Sequence, residues 1–380
     1  MVETSGAIIQ AFIAPLVIGG ISAVLGALIS ITDKIVNNYG DLVIDINSGK
    51  RELEIKGGAA LLLTLAENGI FIPSACGGRG SCGACKVKVV SDIGPHLPTE
   101  TPFLAKEEMA DNIRLSCQVK VKENFQIEIP DSLFNVKQYE GTIERIVNLT
   151  HDIKEVYVKL PEGEEIDFVC GQYGQFEAPP YNKIKTPTQR AYSMSSAPSD
   201  KNHLEFLIRL VPGGIVTTYV HERLTEGQKI NVVGPFGDFN VKDTGATMIG
   251  VAGGSGMAPF KSIFNHMTDT GEIQTREIWY FFGARTKDDL FYLDWLNELD
   301  AKYEKFHFVA ALSEPQPEDD WEGETGLITE VLARYLAERV DRTQPVEGYL
   351  CGSPGMLDAC MAVMRQFDMR EDKIYFDKFA

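Results

Sequence analysis

Three thiols and four glycines share ten residues in the run CGGRGSCGAC, from Cys76 to Cys85. Five residues separate Cys76 from Cys82, and two separate Cys82 from Cys85. Thiolates at this spacing are metal ligands. A tight loop brings three of them to one centre only if its backbone wraps the metal and turns N–H groups toward the sulfurs. Gly77, Gly78, Gly80 and Gly83 permit that wrap, because glycine enters left-handed backbone conformations at little cost. A [2Fe-2S] cluster needs four thiolates, so one ligand must come from elsewhere in the chain. Zinc is the alternative metal, but structural zinc sites more often pair two short Cys-x-x-Cys arms, and only Cys82–Cys85 forms one here. Seven cysteines in 380 residues, an odd number at low density, fit a disulfide framework poorly.

Cys117, in RLSCQV after thirty-one residues that intervene from Cys85, is placed like the distant fourth cysteine of plant-type ferredoxins, although the first gap here is one residue longer than theirs. The loop resembles the looser ferredoxin class found in many flavin-linked reductases. That resemblance implies one [2Fe-2S] cluster on Cys76, Cys82, Cys85 and Cys117. His96, in the loop after the strand KVKVV, reads as a surface histidine, since four cysteines complete the cluster.

The elements around the loop are those of a β-grasp ferredoxin domain. DLVIDIN and RELEIK alternate with period two and predict a β-hairpin; GGAALLLTLAENGI predicts an amphipathic helix stopping at Asn68 and Gly69. KVKVV, the segment around Cys117 and FQIEIP supply further strands, and a short helix falls within LPTETPFLAKEEMAD. Asp131 to Tyr139 reads as a linker.

Beyond it, GTIERIV, EVYVKL, GQFEAP, LEFLIRL and KINVVG have the spacing of an antiparallel barrel. RAYSMSS lies among them, and its Arg-x-Tyr-Ser resembles the flavin signature of the ferredoxin reductase superfamily. The resemblance implies FAD, with Arg190 on the pyrophosphate, Tyr192 on the isoalloxazine ring and Ser193 near flavin N5. GGIVTTYVHERL resembles the Gly-x-x-Ser/Thr turn of the same superfamily at Gly214 and Thr217, where a helix N-terminus offers N–H groups to a phosphate. An ordinary helix capped by Thr217 or Thr218 is the competing interpretation. VVGPFGDF, ending at Phe239, closes the barrel, and the terminal aromatic Phe379 is placed to cover the ring as terminal aromatics do in that superfamily.

Strand and helix then alternate, which predicts a parallel sheet covered on both faces. TMIGVAGGSGMAPFKSIF places Gly253, Gly254 and Gly256 between a buried strand and a helix opened by Pro259; VEGYLCGSPGMLDACM ends another strand at Cys351 and Gly352. Ligands of open α/β sheets sit beyond the carboxyl ends of the strands, where these turns fall. The resemblance makes this the NADH site, with Cys351 beside the hydride-transfer centre. Cys351 is otherwise a small buried hydrophobe like Cys170 and Cys360. Asp288 and Asp289, after Arg285, would oppose a 2′-phosphate and favour NADH over NADPH.

At the other end, Ala7 to Ile31 carries no charge and would span about 37 Å as a helix, enough to cross a bilayer. It lacks the positive leader of a secretory signal, so a retained anchor is expected, and Lys34 weakly places the rest of the chain on the cytoplasmic side. A net charge of -18 with both signs mixed along the chain argues against nucleic acid as partner. The expected organisation is a transmembrane anchor (1–35), a β-grasp [2Fe-2S] ferredoxin domain (39–131), an antiparallel β-barrel FAD domain (137–242) and an α/β NADH-binding domain (245–380).

That order, with LPTE, LSCQV, RAYSM, GMAP, FGAR, SEPQPEDDW and the terminal FDKF, resembles the F-subunit family of sodium-translocating NADH:quinone oxidoreductases over nearly the whole chain. The segment from Pro180 to Arg190 is shorter than is usual there. The resemblance implies an electron-input subunit in a bacterial inner membrane, spanning it once with its soluble domains in the cytoplasm. It would oxidise NADH at FAD, pass single electrons to the cluster and on to integral-membrane partner subunits, and ultimately reduce quinone with Na+ transport. Ser193, Tyr192 and Cys351 would stand at the reacting atoms. The rivals are a reductase component of an oxygenase, which shares the domain order, and a redox sensor that binds the cofactors without turnover.

Overall fold

The structure, a computed structural model, describes residues 17–32 and 39–378. The described residues divide into two compact units, one within Met1–Ile72 and Cys85–Leu133 and the other within Pro73–Ala84 and Phe134–Ala380.

The first helix, α1 (17–32), exposes Ile18, Val24 and Leu28. Among the described residues no helix is long and apolar enough to cross a membrane, and the rest of the expected anchor lies outside them.

In the first unit, β1 (Asp41–Ile46), β2 (Arg51–Lys56), β3 (Lys86–Val89), β4 (Ile113–Leu115) and β5 (Phe125–Glu128) form one mixed sheet in the order β2-β1-β5-β3-β4. The alternation in DLVIDI sends Ile44 and Ile46 into the core, and the hairpin reverses through Asn47, Ser48 and Gly49, all at positive φ. Asn47 then holds β1 to the end of β5, accepting from the Ile129 N–H at 2.8 Å and donating to its carbonyl at 2.9 Å. α2 (Leu61–Glu67) buries Leu61 and Leu65; it is shorter than its apolar pattern suggested and gives way to Gly69 at φ +73°. α3 (Lys106–Ala110) is the short helix expected before Cys117. Cys117 itself sits in the turn after β4 rather than on a strand.

The first strand of the second unit is β6 (Lys137–Asn148), which takes up the last three residues of the expected linker, Lys137 to Tyr139. It is joined by β7 (Ile153–Lys159), β8 (Tyr173–Ala178), β9 (Thr188–Ser193), β10 (His203–Arg209) and β11 (Lys229–Phe236) in the order β10-β7-β6-β11-β8-β9. All pairings are antiparallel, and a bridge between Met194 and Phe206 joins the end of β9 to β10, closing the barrel. Phe176, Phe206, Val156 and Val232 fill it. α4 (Ile215–Glu222) packs against β8, β9 and β10.

The remaining sheet is wholly parallel, in the order β15-β14-β13-β12-β16-β17. Its strands are β12 (Thr247–Gly253), β13 (Ile278–Ala284), β14 (Phe306–Leu312), β15 (Glu324–Thr325), β16 (Val346–Gly352) and β17 (Ile374–Lys378). A strand buried on both faces reads as a continuous apolar run, which is why TMIGVAG lacks alternation. Met248 and Tyr280 face α5 (Met257–Thr270) and α6 (Leu293–Lys302), through Phe260, Phe264 and Leu296. Ile249, Val251 and Phe281 face α7 (Ile328–Glu338) and α8 (Pro354–Gln366), through Val331, Leu332 and Met364. From β12 the chain moves outward to β13 on one side and later to β16 on the other. The crevice between β12 and β16 is therefore where such a sheet binds its ligand.

Candidate functional site

The expected nucleotide turns meet at that crevice. Gly253 ends β12 in register with Gly283 on β13, and Ala252 is opposite Cys351 on β16. A side chain at these ends would have no room. A Cβ on Gly256 would lie 2.2 Å from the Cys351 carbonyl oxygen, one on Gly253 2.9 Å from Met356 Sδ, and one on Gly352 2.8 Å from Met356 Cε. Gly254, at φ +55°, lies beside the barrel residues Arg209 and Ile153. Bare backbone at the carboxyl edge, followed by the N-terminus of α5, fits a nucleotide phosphate.

Cys351 is fully buried, and burial holds its thiol well above the ordinary range, in the protonated form. Its register partner on β17 is Asp377. The Ser193 hydroxyl donates to Asp377 Oδ2 at 3.0 Å, so the barrel strand with the flavin motif reaches the edge of the nucleotide sheet here. Burial pushes the Asp377 carboxyl upward, and the Ser193 hydrogen bond pulls it partly back. Sequence reasoning passed over Asp377, although it lies within the FDKF motif, because strand register is not written locally. Phe379 lies outside the described residues.

On β9, Arg190 and Tyr192 alternate with Ser193. Tyr192 packs edge-on against Phe176, with ring centroids 6.3 Å apart, and Ser193 pairs with Tyr173 across β8. Arg190 donates through Nη1 to the carbonyls of Gln189, at 2.6 Å, and Cys76, at 2.9 Å. Gly214 is the N-cap of α4, not Thr217 or Thr218. Thr217 instead closes the preceding turn, its hydroxyl accepting from the Val211 N–H at 3.2 Å. Gln175 Nε2 and Ser195 Oγ are buried without a hydrogen-bond partner among the described residues, and they flank the flavin motif. Buried polar atoms are rarely left so, and these fit a site completed by a polar cofactor.

A buried ionic cluster, also unforeseen, joins the barrel to the nucleotide sheet. Lys261 of α5 donates at 2.7 Å to both Glu155 on β7 and Glu205 on β10, and the Tyr292 hydroxyl donates to Glu155. Burial opposes ionisation of Glu155, but Lys261 outweighs it and holds the carboxyl below its usual range.

Of the expected cluster ligands, Cys76 and Cys82 lie in the second unit, while Cys85 and Cys117 lie in the first. Among the described residues no three His, Cys, Asp or Glu side chains converge closely enough to hold a metal. Within each unit the two cysteines nevertheless stand as a hydrogen-bonded pair, Cys76 with Cys82 and Cys85 with Cys117. Burial works against ionisation of Cys76, yet N–H donors from Ser81 and Arg79, with the Cys82 and Ser81 side chains, bring its thiol down to about 7. The Ala84 N–H points at Cys82 Sγ at 3.5 Å, and Gln118 Nε2 at Cys117 Sγ at 3.3 Å. Cys85 hydrogen-bonds Cys117, and this contact together with burial raises the Cys85 thiol. Ser116 N–H donates to the Cys85 carbonyl at 2.8 Å, tying the two cysteines together. His96 is half-buried, and its Nε2 donates to the Ile113 carbonyl at 2.9 Å.

LPTE has a structural role. Glu100 is fully buried and accepts from Arg114 Nη2 at 2.7 Å, Leu97 N–H at 2.8 Å and Leu115 N–H at 2.9 Å, which fixes the loop beside the strand leading to Cys117.

Residues 44–122 match the 2Fe-2S iron-sulfur cluster binding domain family, 140–241 the oxidoreductase FAD-binding domain family, and 250–362 the oxidoreductase NAD-binding domain family. The chain thus carries binding domains for all three expected cofactors. It is 36% identical to the F subunit of the Na(+)-translocating NADH-quinone reductase of Neisseria meningitidis serogroup C, over 94% of this chain and 96% of that one. Identity to the same-named subunit of Marinomonas sp. is 38%, covering 90% of this chain and 91% of that one. Among solved structures, the Amycolatopsis cytochrome P450 reductase GcoB superposes with TM-score 0.71 at 25% identity, covering 89% of this chain and 98% of that one. The ferredoxin reductase in carbazole 1,9a-dioxygenase gives TM-score 0.66 at 25% identity, covering 90% and 99%.

Proposed function

This chain belongs to the family of Na(+)-translocating NADH-quinone reductase F subunits, and from that premise we propose that it is the electron-input subunit of such a complex, oxidising NADH. The observation that carries the proposal is the 3.0 Å contact from Ser193 to Asp377, in register with Cys351, because it unites the flavin motif and the nucleotide turn at one point. FAD, when bound, would supply a two-electron hydride acceptor, and Cys76, Cys82, Cys85 and Cys117 would hold a [2Fe-2S] cluster that supplies a one-electron acceptor. The protein supplies position and electrostatics. Ser193 presents its hydroxyl where the ring edge would lie, with Asp377 Oδ2 fixing its direction. Tyr192, braced by Phe176, offers a ring face for stacking. Arg190, the α4 N-terminus at Gly214, and Thr217 hold the pyrophosphate; the glycines at 253, 254, 256 and 352 admit the nicotinamide nucleotide. The neutral Cys351 thiol fills the floor beside it and excludes water.

Residues 1–35 anchor the chain in the bacterial inner membrane, with the soluble domains in the cytoplasm beside integral-membrane partner subunits that carry electrons to quinone and couple them to Na+ transport. Likeness to a cytochrome P450 reductase and to a dioxygenase ferredoxin reductase favours a second function, that of an oxygenase reductase component. Adding the full-length protein to membranes lacking the subunit separates the two. It should restore NADH-driven quinone reduction, whereas the protein without residues 1–35 should keep FAD and the cluster and reduce ferricyanide with NADH but not restore it. Flavin bleaching by NADH with no restoration by the full-length protein would favour the oxygenase assignment, and failure of NADH to bleach the flavin would exclude both.

A further inference from the structure

Arg190 touches the cysteine loop as well as the strand that carries it. Its Nη1 donates to the Cys76 carbonyl at 2.9 Å, while its Nε and Nη2 edge makes no hydrogen bond among the described residues. Gly77, next in the chain, has φ +67°, and a Cβ there would lie 2.9 Å from both Arg190 Nη1 and the Gln189 carbonyl oxygen. Glycine is therefore required at 77 twice over, by its backbone conformation and by contact with β9. Ser74 shapes the approach, its carbonyl accepting from Gly77 N–H at 3.2 Å and its hydroxyl from Gly78 N–H at 2.9 Å. The whole segment 73–84 clusters with the second unit, not with the sheet that flanks it in sequence.

We propose that Arg190 is a positioning residue for transfer of electrons between the two cofactors. Nη1 seats the Cys76 end of the loop on β9, while the opposite edge of the guanidinium binds the FAD pyrophosphate, so flavin occupancy and the seat of the loop are coupled. The proposal rests on the assignment of FAD to β9 and of the cluster to the cysteine loop. A guanidinium is a rigid planar fork, so fixing one edge orients the other. The coupling is reciprocal: a phosphate that orders Arg190 also orders Cys76, and a displaced loop weakens the phosphate contact. Single electrons cross without bond or proton changes at the Cys76 carbonyl, so what the contact controls is distance and rigidity.

The test uses the full-length holoprotein, the same protein stripped of FAD, and the stripped protein reloaded with FAD. Release of cluster iron to a ferrous chelator should be faster without FAD by roughly tenfold, within the usual range of coupling between sites, and reloading should reverse it. Arg190→Lys, whose ammonium has no planar fork, should release iron at the same rate with and without FAD. Gly77→Ala should lower the rate of cluster reduction, followed by freeze-quench EPR, relative to the rate of flavin bleaching by NADH, by about tenfold or more. Iron release indifferent to FAD in the wild type, together with an unchanged ratio in Gly77→Ala, would overturn the proposal. Absence of flavin bleaching would instead count against the proposed function, and the iron-release measurements would still decide this one.

Discussion

The Ser193 hydroxyl and the Asp377 carboxylate meet at 3.0 Å across 184 residues of chain, one on a barrel strand and the other on the last strand of the parallel sheet. The contact orients Ser193 and sets a desolvated acid beside the buried Cys351. Removing the hydroxyl costs one hydrogen bond of about 1.4 kcal/mol, so Ser193→Ala should slow stopped-flow bleaching of the flavin by NADH about tenfold, with a smaller loss of FAD affinity.

Asp377 also has a signature in stability. Its carboxyl is raised in the folded protein, so folding favours the protonated form. The resulting destabilisation is absent below the ordinary carboxylate range and grows as pH rises through that range toward the folded value. Asp377→Asn should therefore unfold at higher urea than wild type at pH 7 and at the same urea in acid. Equal midpoints at both pH values would remove the buried charge from the account.

Glu100 titrates in the opposite sense. Burial opposes its ionisation, but Arg114 and the N–H groups of Leu97 and Leu115 win, and its carboxyl lies below the usual range. The stability it contributes is complete above the ordinary carboxylate value and is lost as pH falls through the lowered one. Removing one partner of a buried pair costs about 3–5 kcal/mol, so Glu100→Ala should lower the urea midpoint by that equivalent at pH 7 and by much less in acid.

Cys117→Ala should abolish the EPR signal of the reduced cluster, whereas Cys170→Ala, at a thiol that burial raises to about 12, should leave it. A full signal in the first variant and a lost one in the second would move the fourth ligand to Cys170.

For cosubstrate choice, Asp289 is already engaged, accepting from the Thr286 N–H at 3.1 Å, and Arg285 is tied to Glu314 at 2.9 Å on the open surface. With Arg285 neutralised and Asp288 exposed, kcat/KM should be higher for NADH than for NADPH. Glu314→Gln should release Arg285 and raise relative NADPH use by about a few-fold, a small effect because an exposed ion pair is screened by solvent. A wild-type preference for NADPH would refute the assignment.

The three cofactor-binding folds could be read from the chain because their signals are local. Period-two runs make DLVIDI and RELEIK a hairpin, a continuous apolar run makes TMIGVAG a strand covered on both faces, and glycine turns mark where strands end. Cysteine spacing and the Arg-x-Tyr-Ser run identify chemistry for the same reason: ligands and short motifs lie within a few residues of each other. Tertiary structure alone decided what depends on register and long-range packing. It put Asp377 opposite Cys351, turned Arg190 toward Cys76, and buried Glu100 against Arg114. It also set Cys117 in a turn and His96 against the Ile113 carbonyl. A one-residue shift of β17 would send the Asp377 side chain to the other face of its sheet, and no local pattern in FDKF records which face it takes.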